Sequence, residues 1–207
     1  MEHLVVHRLV EQQAATRGDA PAIAGDGGDV ITYRDLNVRA NGVARRLLDE
    51  GFRRGAHLNV TMDHGIDLAT VLLAVLKAGG SYAWHPAHGR IPQGRAAFAS
   101  RFDAAGPGQR AHTIDVDALL RASMPTNPNL PVLTRPADLA CVLVSDTGPD
   151  VLVPHSTIAA LRQEYPASSS QRSRIWDQES SSFNLWAGLM SGATLNVLTA
   201  PALLDAA

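Results

Sequence analysis

Cysteine is nearly absent. Cys141 is the only one in 207 residues, so no intrachain disulfide can form. Lysine is equally scarce: Lys77 is alone, and every other fixed positive side chain is arginine. Any mechanism that needs a second lysine is therefore excluded. An excess of one charge is missing as well. Eighteen basic against twenty acidic side chains give a formal net charge of −2, which excludes the basic footprint of a nucleic-acid binder. No polybasic cluster suits an anionic membrane surface. The longest apolar run, around Ala69–Leu76, is too short to span a bilayer and reads as a buried helix. The N-terminal MEHLVVHRLVEQQ carries Glu2 and Glu11 and has no signal-peptide profile. A cytoplasmic address is the default expectation.

What remains is an ordinary globular composition, 45% hydrophobic and 18% charged, with enough chain for one sizeable core or two small ones. Residues 2–16 read as a helix with Leu4, Val5, Leu9 and Val10 near one face. Short strands at 22–24 and 30–32 flank the turn GDGGD, a hairpin signal. Thr32 suits an N-cap, with Asp35 three residues on. The following helix buries Leu36, Ala40, Val43 and Leu47, and Gly51 ends it. A strand is expected over 57–61, a helix over 67–77 stopped by Gly79-Gly80, and a strand over 81–84. Pro92 starts a helix predicted to run to Phe102. A strand at 111–114 and a short helix at 116–122 follow.

Residues 123–136 carry four prolines and two asparagines and read as a long loop. The predicted organisation is a first α/β unit over 1–125, a Pro-rich linking loop over 126–137, and a second, incomplete α/β unit over 138–207. In the second unit, 139–144 is a continuous apolar strand of the kind buried on both faces of a parallel sheet. A helix at 156–164, a polar stretch at 167–174, an apolar helix at 183–190 and a strand at 194–198 complete the chain. Alternating strands and helices predict an α/β fold of layered, mostly parallel sheets with flanking helices.

Several residues invite functional readings. CVLVSDTGPDVLVPHSTI, residues 141–158, sets an apolar run before a polar turn, as a phosphate-gripping loop would. Ser145, Asp146 and His155 are the residue types of a Ser-His-Asp hydrolase, but no Gly-x-Ser-x-Gly elbow is present. A capped turn and a helix-start histidine are the expected reading. His85 and His88 are too few for a structural or catalytic zinc, so no metal site is expected. Trp84 is expected to fill the core, with an exposed partner anchor as the alternative. Phe183, Trp186 and Leu189 form a helical apolar stripe. It reads as core, or as an uncovered face for a homodimer or a neighbouring domain.

Three stretches carry a family resemblance: ITYRDLNVRANGVARRLLDEGFRRGAHLNV, IDLATVLLAVLKAGGSYAWHP and FNLWAGLMSGATLNVL. In order and spacing they resemble amino-acid adenylation domains of nonribosomal peptide synthetases, from about Val6 to Leu198. The resemblance implies the first half of the large N-terminal subdomain of adenylate-forming enzymes. Such domains use ATP and magnesium to make an aminoacyl adenylate, then pass the acyl group to a phosphopantetheine carrier.

The resemblance also exposes departures. The family's phosphate loop ends in Pro-Lys-Gly, and here the segment is roughly four residues shorter. Ser145, Asp146, Thr147, Gly148 and His155 occupy its place, with one glycine and no lysine. Backbone N–H groups that would cradle phosphate are fewer. Asp146 and Asp150 add repulsion, about 1 kcal/mol per like-charge contact at ~4 Å in water and several times that near a protein surface. Glu179 falls on the family's aspartate for the substrate ammonium, and Ser180 and Phe183 fall on side-chain pocket positions. Lys77 matches a structural position. The expectation is a truncated, degenerate adenylation domain with no catalytic residue, ATP binding lost and no cofactor. It would act as a structural or docking element beside carrier, condensation or tailoring domains. The alternatives are half of a split adenylation enzyme completed in trans, or a binder that kept an amino-acid pocket on Glu179.

Overall fold

The structure, a computed structural model, describes residues 5–25, 27–85, 98–102, 112–121, 128–132, 134–144, 149–164, 173–177 and 182–198. The elements in order are α1 (Val6–Thr16), β1 (Pro21–Ala24), β2 (Val30–Thr32), α2 (Tyr33–Asp49), β3 (His57–Thr61), α3 (Ile66–Lys77), β4 (Ser81–His85), β5 (Phe98–Phe102), β6 (His112–Asp115) and α4 (Val116–Arg121). Then come β7 (Leu139–Leu143), β8 (Val151–Pro154), α5 (His155–Glu164), β9 (Ser173–Asp177), α6 (Ser182–Ser191) and β10 (Thr194–Leu198).

Two sheets form. One has four strands in the order β2-β1-β10-β9, the other six in the order β6-β5-β3-β4-β7-β8. Both draw strands from either side of 126–137: β1 pairs with β10, and β4 pairs with β7. The layered α/β class holds, but the sheets are mixed. Four strand pairings are parallel and four antiparallel.

Local sequence accounts for most elements. In α2, Leu36, Ala40, Val43 and Leu47 are all fully buried, as their four-three-four spacing requires. Thr32 caps the helix: its hydroxyl oxygen accepts the Asp35 N–H at 3.1 Å, while its O–H donates to Asp35 Oδ2 at 2.7 Å. Replacing Thr32 by alanine should cost about 1 kcal/mol, read as a lowered urea midpoint. An unchanged midpoint would show that the cap carries no stability. The apolar α3 is buried from Leu68 to Lys77 and packs on α2.

Long-range ties join the ends of the chain. Tyr33 Oη donates to the Ala193 carbonyl at 2.7 Å, fixing the start of α2 beneath β10. Gln13 Nε2 and Arg17 Nη1 donate to the carbonyls of Met190 and Gly192 at 3.1 and 2.6 Å, satisfying the end of α6. Gly192 has φ +77, a left-handed backbone that favours glycine, and a Cβ there would also crowd Arg17 Nη1 at 2.5 Å. Residues 128–130 lie against α2 rather than standing free. Asn37 and Asn41 donate to Asn129 Oδ1 at 2.9 and 3.0 Å, and Arg45 donates to the Pro128 carbonyl at 2.5 Å.

Three expectations are corrected. The helix expected over 92–102 is instead strand β5 across 98–102, antiparallel to β3; residues 92–97 lie outside the described residues. A full five-residue ladder with β3 overrides the local preference. The run at 139–144 is not buried on both faces. β7 ends at Leu143, Val144 is 48% exposed, and β8 folds back antiparallel along it. The polar stretch 167–174 yields at its end to β9, because Ile175 and Trp176 continue Ser173 and Arg174 into a ladder with β10.

The apolar stripe of α6 is core. Trp186 and Leu189 are fully buried and Phe183 packs half-buried against them, because α1 and α5 cover that helix. That face is therefore not available for a homodimer. No helix among the described residues is long and apolar enough to cross a membrane.

Candidate functional site

The candidate loop is framed by the β7–β8 hairpin and the start of α5. Ser145, Asp146, Thr147 and Gly148 lie outside the described residues, as do Glu179 and Ser180 of the expected amino-acid pocket. His155 and Phe183 are described, and both turn inward. His155 opens α5 fully buried, its own N–H held by the Asp138 carbonyl at 3.1 Å. Its Nδ1 accepts the Val6 N–H at 3.3 Å, so the ring proton sits on Nε2. Nε2 has no hydrogen-bond partner among the described residues. His7 stacks edge-on at 5.9 Å, also buried. Burial pushes His155 down to about 4, against a smaller upward pull from Asp138. It pushes His7 well down too, helped by the nearby charges of His155, Lys77 and Arg8. A neutral ring closed inside the α1–α5 contact and already engaged with Val6 is not exposed to act as a general base on a ligand.

Lys77 is likewise closed off. Its Nζ donates to Glu11 Oε1, and neither side chain is more than 5% exposed. Glu11 Oε2 also accepts from Arg8 at 2.8 Å. Burial pushes the Lys77 amine down to about 8, while Glu11 pulls the other way. The single lysine therefore ties α3 to α1 and cannot reach a ligand at the surface.

Trp84 fills space rather than projecting outward. Its indole N–H donates to the Met62 carbonyl at 2.9 Å, and His64 packs edge-on at 4.6 Å. Trp176 of β9 meets the same His64 at 4.9 Å, so one imidazole bridges tryptophans from both sheets. Neither this bridge nor the His7–His155 and Glu11–Lys77 pairs were anticipated. Their partners are far apart in sequence, and only the isolation of Lys77 gave a signal. Cys141 is buried, and desolvation pushes its thiol up to about 12, which makes it inert.

A cleft of about 600 Å³ lies at the start of α3, lined by Asp29, Arg39, Asp63, His64 and Asp67 among others. Arg39 is paired with Asp67 at 2.8 Å. Three aspartates against one arginine in this lining disfavour a triphosphate. No group of three or more His, Cys, Asp or Glu among the described residues is arranged to hold a metal ion.

Comparison with known proteins finds similar sequences and a similar fold. Residues 10–102 match the model described as AMP-binding enzyme. Surfactin synthase subunit 2 of Bacillus subtilis is 28% identical across 99% of this chain, which covers 6% of that protein. Chondramide synthase cmdD of Chondromyces crocatus is 31% identical across 98% of this chain, again 6% of the relative. The chain thus spans a small fraction of the curated relatives it matches. In fold, the N-terminal subdomain of Klebsiella oxytoca NpsA superposes with a TM-score of 0.77 at 19% identity, over 97% of this chain and 58% of that one. The artificially fused adenylation–PCP di-domain NpsA-ThdA gives 0.73 at 19% identity, over 94% of this chain and 39% of that one. Residues 10–102 match the AMP-binding enzymes, and along nearly its whole length the chain is similar to peptide synthetases and shares the fold of an adenylation-domain N-terminal subdomain.

Proposed function

We propose that this chain is a non-catalytic adenylation-like element of nonribosomal peptide biosynthesis, a structural or docking unit beside carrier, condensation or tailoring domains. The observation that carries this reading is the position of Lys77. An adenylating site must offset the charge of ATP with donors and cations. The chain's one lysine is spent inside the core on Glu11. The loop sequence SDTG supplies one glycine and an aspartate where phosphate would lie. Asp150, just before β8, adds a second carboxylate. His155, at the end of that loop, is buried and neutral.

Titration of the protein with ATP-Mg is expected to give no binding heat. ATP–pyrophosphate exchange over a panel of amino acids is expected to stay at background, alone and with the neighbouring synthetase proteins. Exchange that appears only with a partner would overturn the structural role and make this chain one half of a split adenylation enzyme. Amino-acid binding without ATP would make it a binder that kept its pocket on Glu179.

A further inference from the structure

We propose that the His7–His155 contact is an acid-operated latch on the first turns of α1: when the two rings take up protons, residues 5–10 come away from α5 while residues 11–17 stay docked. The device is independent of the proposed role in peptide biosynthesis. It is a local opening, not the loss of the whole fold.

The start of α1 has no cap of its own. Val5 stands at the N-cap position, where its side chain makes no cap hydrogen bond, and the first turn carries no acidic residue. The acceptor comes instead from 149 residues away, where His155 Nδ1 takes the Val6 N–H at 3.3 Å. Imidazole does this only while neutral. An imidazolium carries hydrogen on both nitrogens and accepts nothing. It also sets a positive charge against the positive end of the α1 dipole. His7 lies in that same first turn, edge-on to His155 with ring centroids 5.9 Å apart. Its proton would add a second charge at the same end.

The surroundings are poorly placed to hold those charges. Both rings are buried, and His7 Nδ1 and His155 Nε2 have no hydrogen-bond partner among the described residues. Arg8 of α1 and Lys77 of α3 oppose a proton on His7. Glu11, the one acidic residue of α1, is already bound by both of these cations. Arg45 of α2 opposes the charge of Lys77 in turn. α6 contributes no ionisable side chain, and Arg162 of α5 is exposed. Asp138, just before β7, favours a charged His155, but it is engaged by Arg54 and the Arg135 N–H. Burial above all holds both rings below their ordinary range, and for His7 the charges of His155, Lys77 and Arg8 act the same way. In the opened helix the rings meet water and regain that range, so falling pH favours opening.

The other ties of α1 set where opening stops. Glu11 accepts from Lys77, Gln13 Nε2 donates to the Met190 carbonyl at 3.1 Å, and Arg17 Nη1 donates to the Gly192 carbonyl at 2.6 Å. None of these uses a histidine, and all lie from residue 11 onward. Ahead of them, among the described residues, α1 is held by the Val6–His155 bond and by the buried side chains of Val5, Val6, Leu9 and Val10. That apolar burial keeps the closed form dominant at neutral pH. The open form is a minor state that grows as pH falls.

Hydrogen exchange on the full chain, corrected for intrinsic rates, reads the latch. Protection of the Val6, Leu9 and Val10 amides should fall at least about tenfold between pH ~7.5 and pH ~5. At the lower pH it should stand at least about tenfold below that of Ala15, Thr16 and Arg17, whose helical acceptors begin at Glu11. The double substitution His7→Phe with His155→Gln keeps a ring and an acceptor but removes both titrations, and should make protection of residues 6–10 independent of pH. Equal protection in the two halves of α1 at the lower pH would show global unfolding alone and overturn the proposal. So would wild-type protection that does not change with pH, and the wild-type reading decides this without any variant. A fall that persists in the double variant, or in His155→Gln and His7→Phe separately at full size, overturns the assignment to the two histidines.

Discussion

Glu11→Ala should destabilise the fold by about 3–5 kcal/mol at neutral pH, the cost of leaving a buried charge without its partner. Lys77 stays buried beside Arg8 and Arg45, which oppose its charge, and nothing replaces the lost carboxylate. The loss should shrink at alkaline pH, because the uncompensated amine gives up its proton more readily. The double substitution Glu11→Leu with Lys77→Met should recover most of the stability, as apolar side chains of similar volume often replace buried ion pairs without loss. Urea denaturation of the three variants at pH 7 and pH 9 reads this directly. A single-variant loss under about 1 kcal/mol, the size of an exposed pair, would show that the pair carries little stability.

Acid should loosen the same corner of the molecule. His155 sits at about 4 in the fold and at the ordinary value of 6.5 when unfolded. Between those values the unfolded chain holds the extra proton. Stability is therefore full above about pH 6.5 and falls as pH drops toward 4, by up to about 1.4 kcal/mol per pH unit. His155 alone accounts for about 3 kcal/mol over the window. His7 adds loss in the same direction, its ring also being held well below its ordinary value by burial. Protonation also removes the acceptor of the Val6 N–H, since both ring nitrogens then carry hydrogen. Asp138, which faces His155, is itself held below its ordinary value. Its desolvation, which raises it, is outweighed by the Arg135 N–H and Arg54, so it contributes further loss only below about pH 4. Thermal melts from pH 7.5 to 4.5 should show a falling midpoint for the wild type and a shallower fall for His155→Gln. Identical slopes would rule out His155 as the titrating group.

Much of the fold was legible in local sequence. The spacing of Leu36, Ala40, Val43 and Leu47 is a helical face, and Thr32 with Asp35 is a cap; neither depends on distant chain. Gly51, Gly79 and Gly192 end their helices with positive φ, as residues without a Cβ do. The family resemblance was legible for the same reason, since its motifs are contiguous runs. The candidate site was legible only as residue types. His155 and Phe183 were singled out as site residues, and the structure buries both, fully and in part, because α1 and the core occupy the space they face.

Apart from the helix expected over 92–102, sequence alone determined the helices, the β1–β2 hairpin, the excluded disulfide and the scarcity of lysine, because each is a property of neighbours in the chain or of composition. Tertiary structure alone decided that 98–102 is a strand and that β7 and β8 form a hairpin. It alone decided that Lys77 ends on Glu11, 66 residues away, and His155 on Val6, 149 residues away. Ladders and buried pairs form where the chain returns to itself, and their stability comes from desolvation and partners that no local pattern contains.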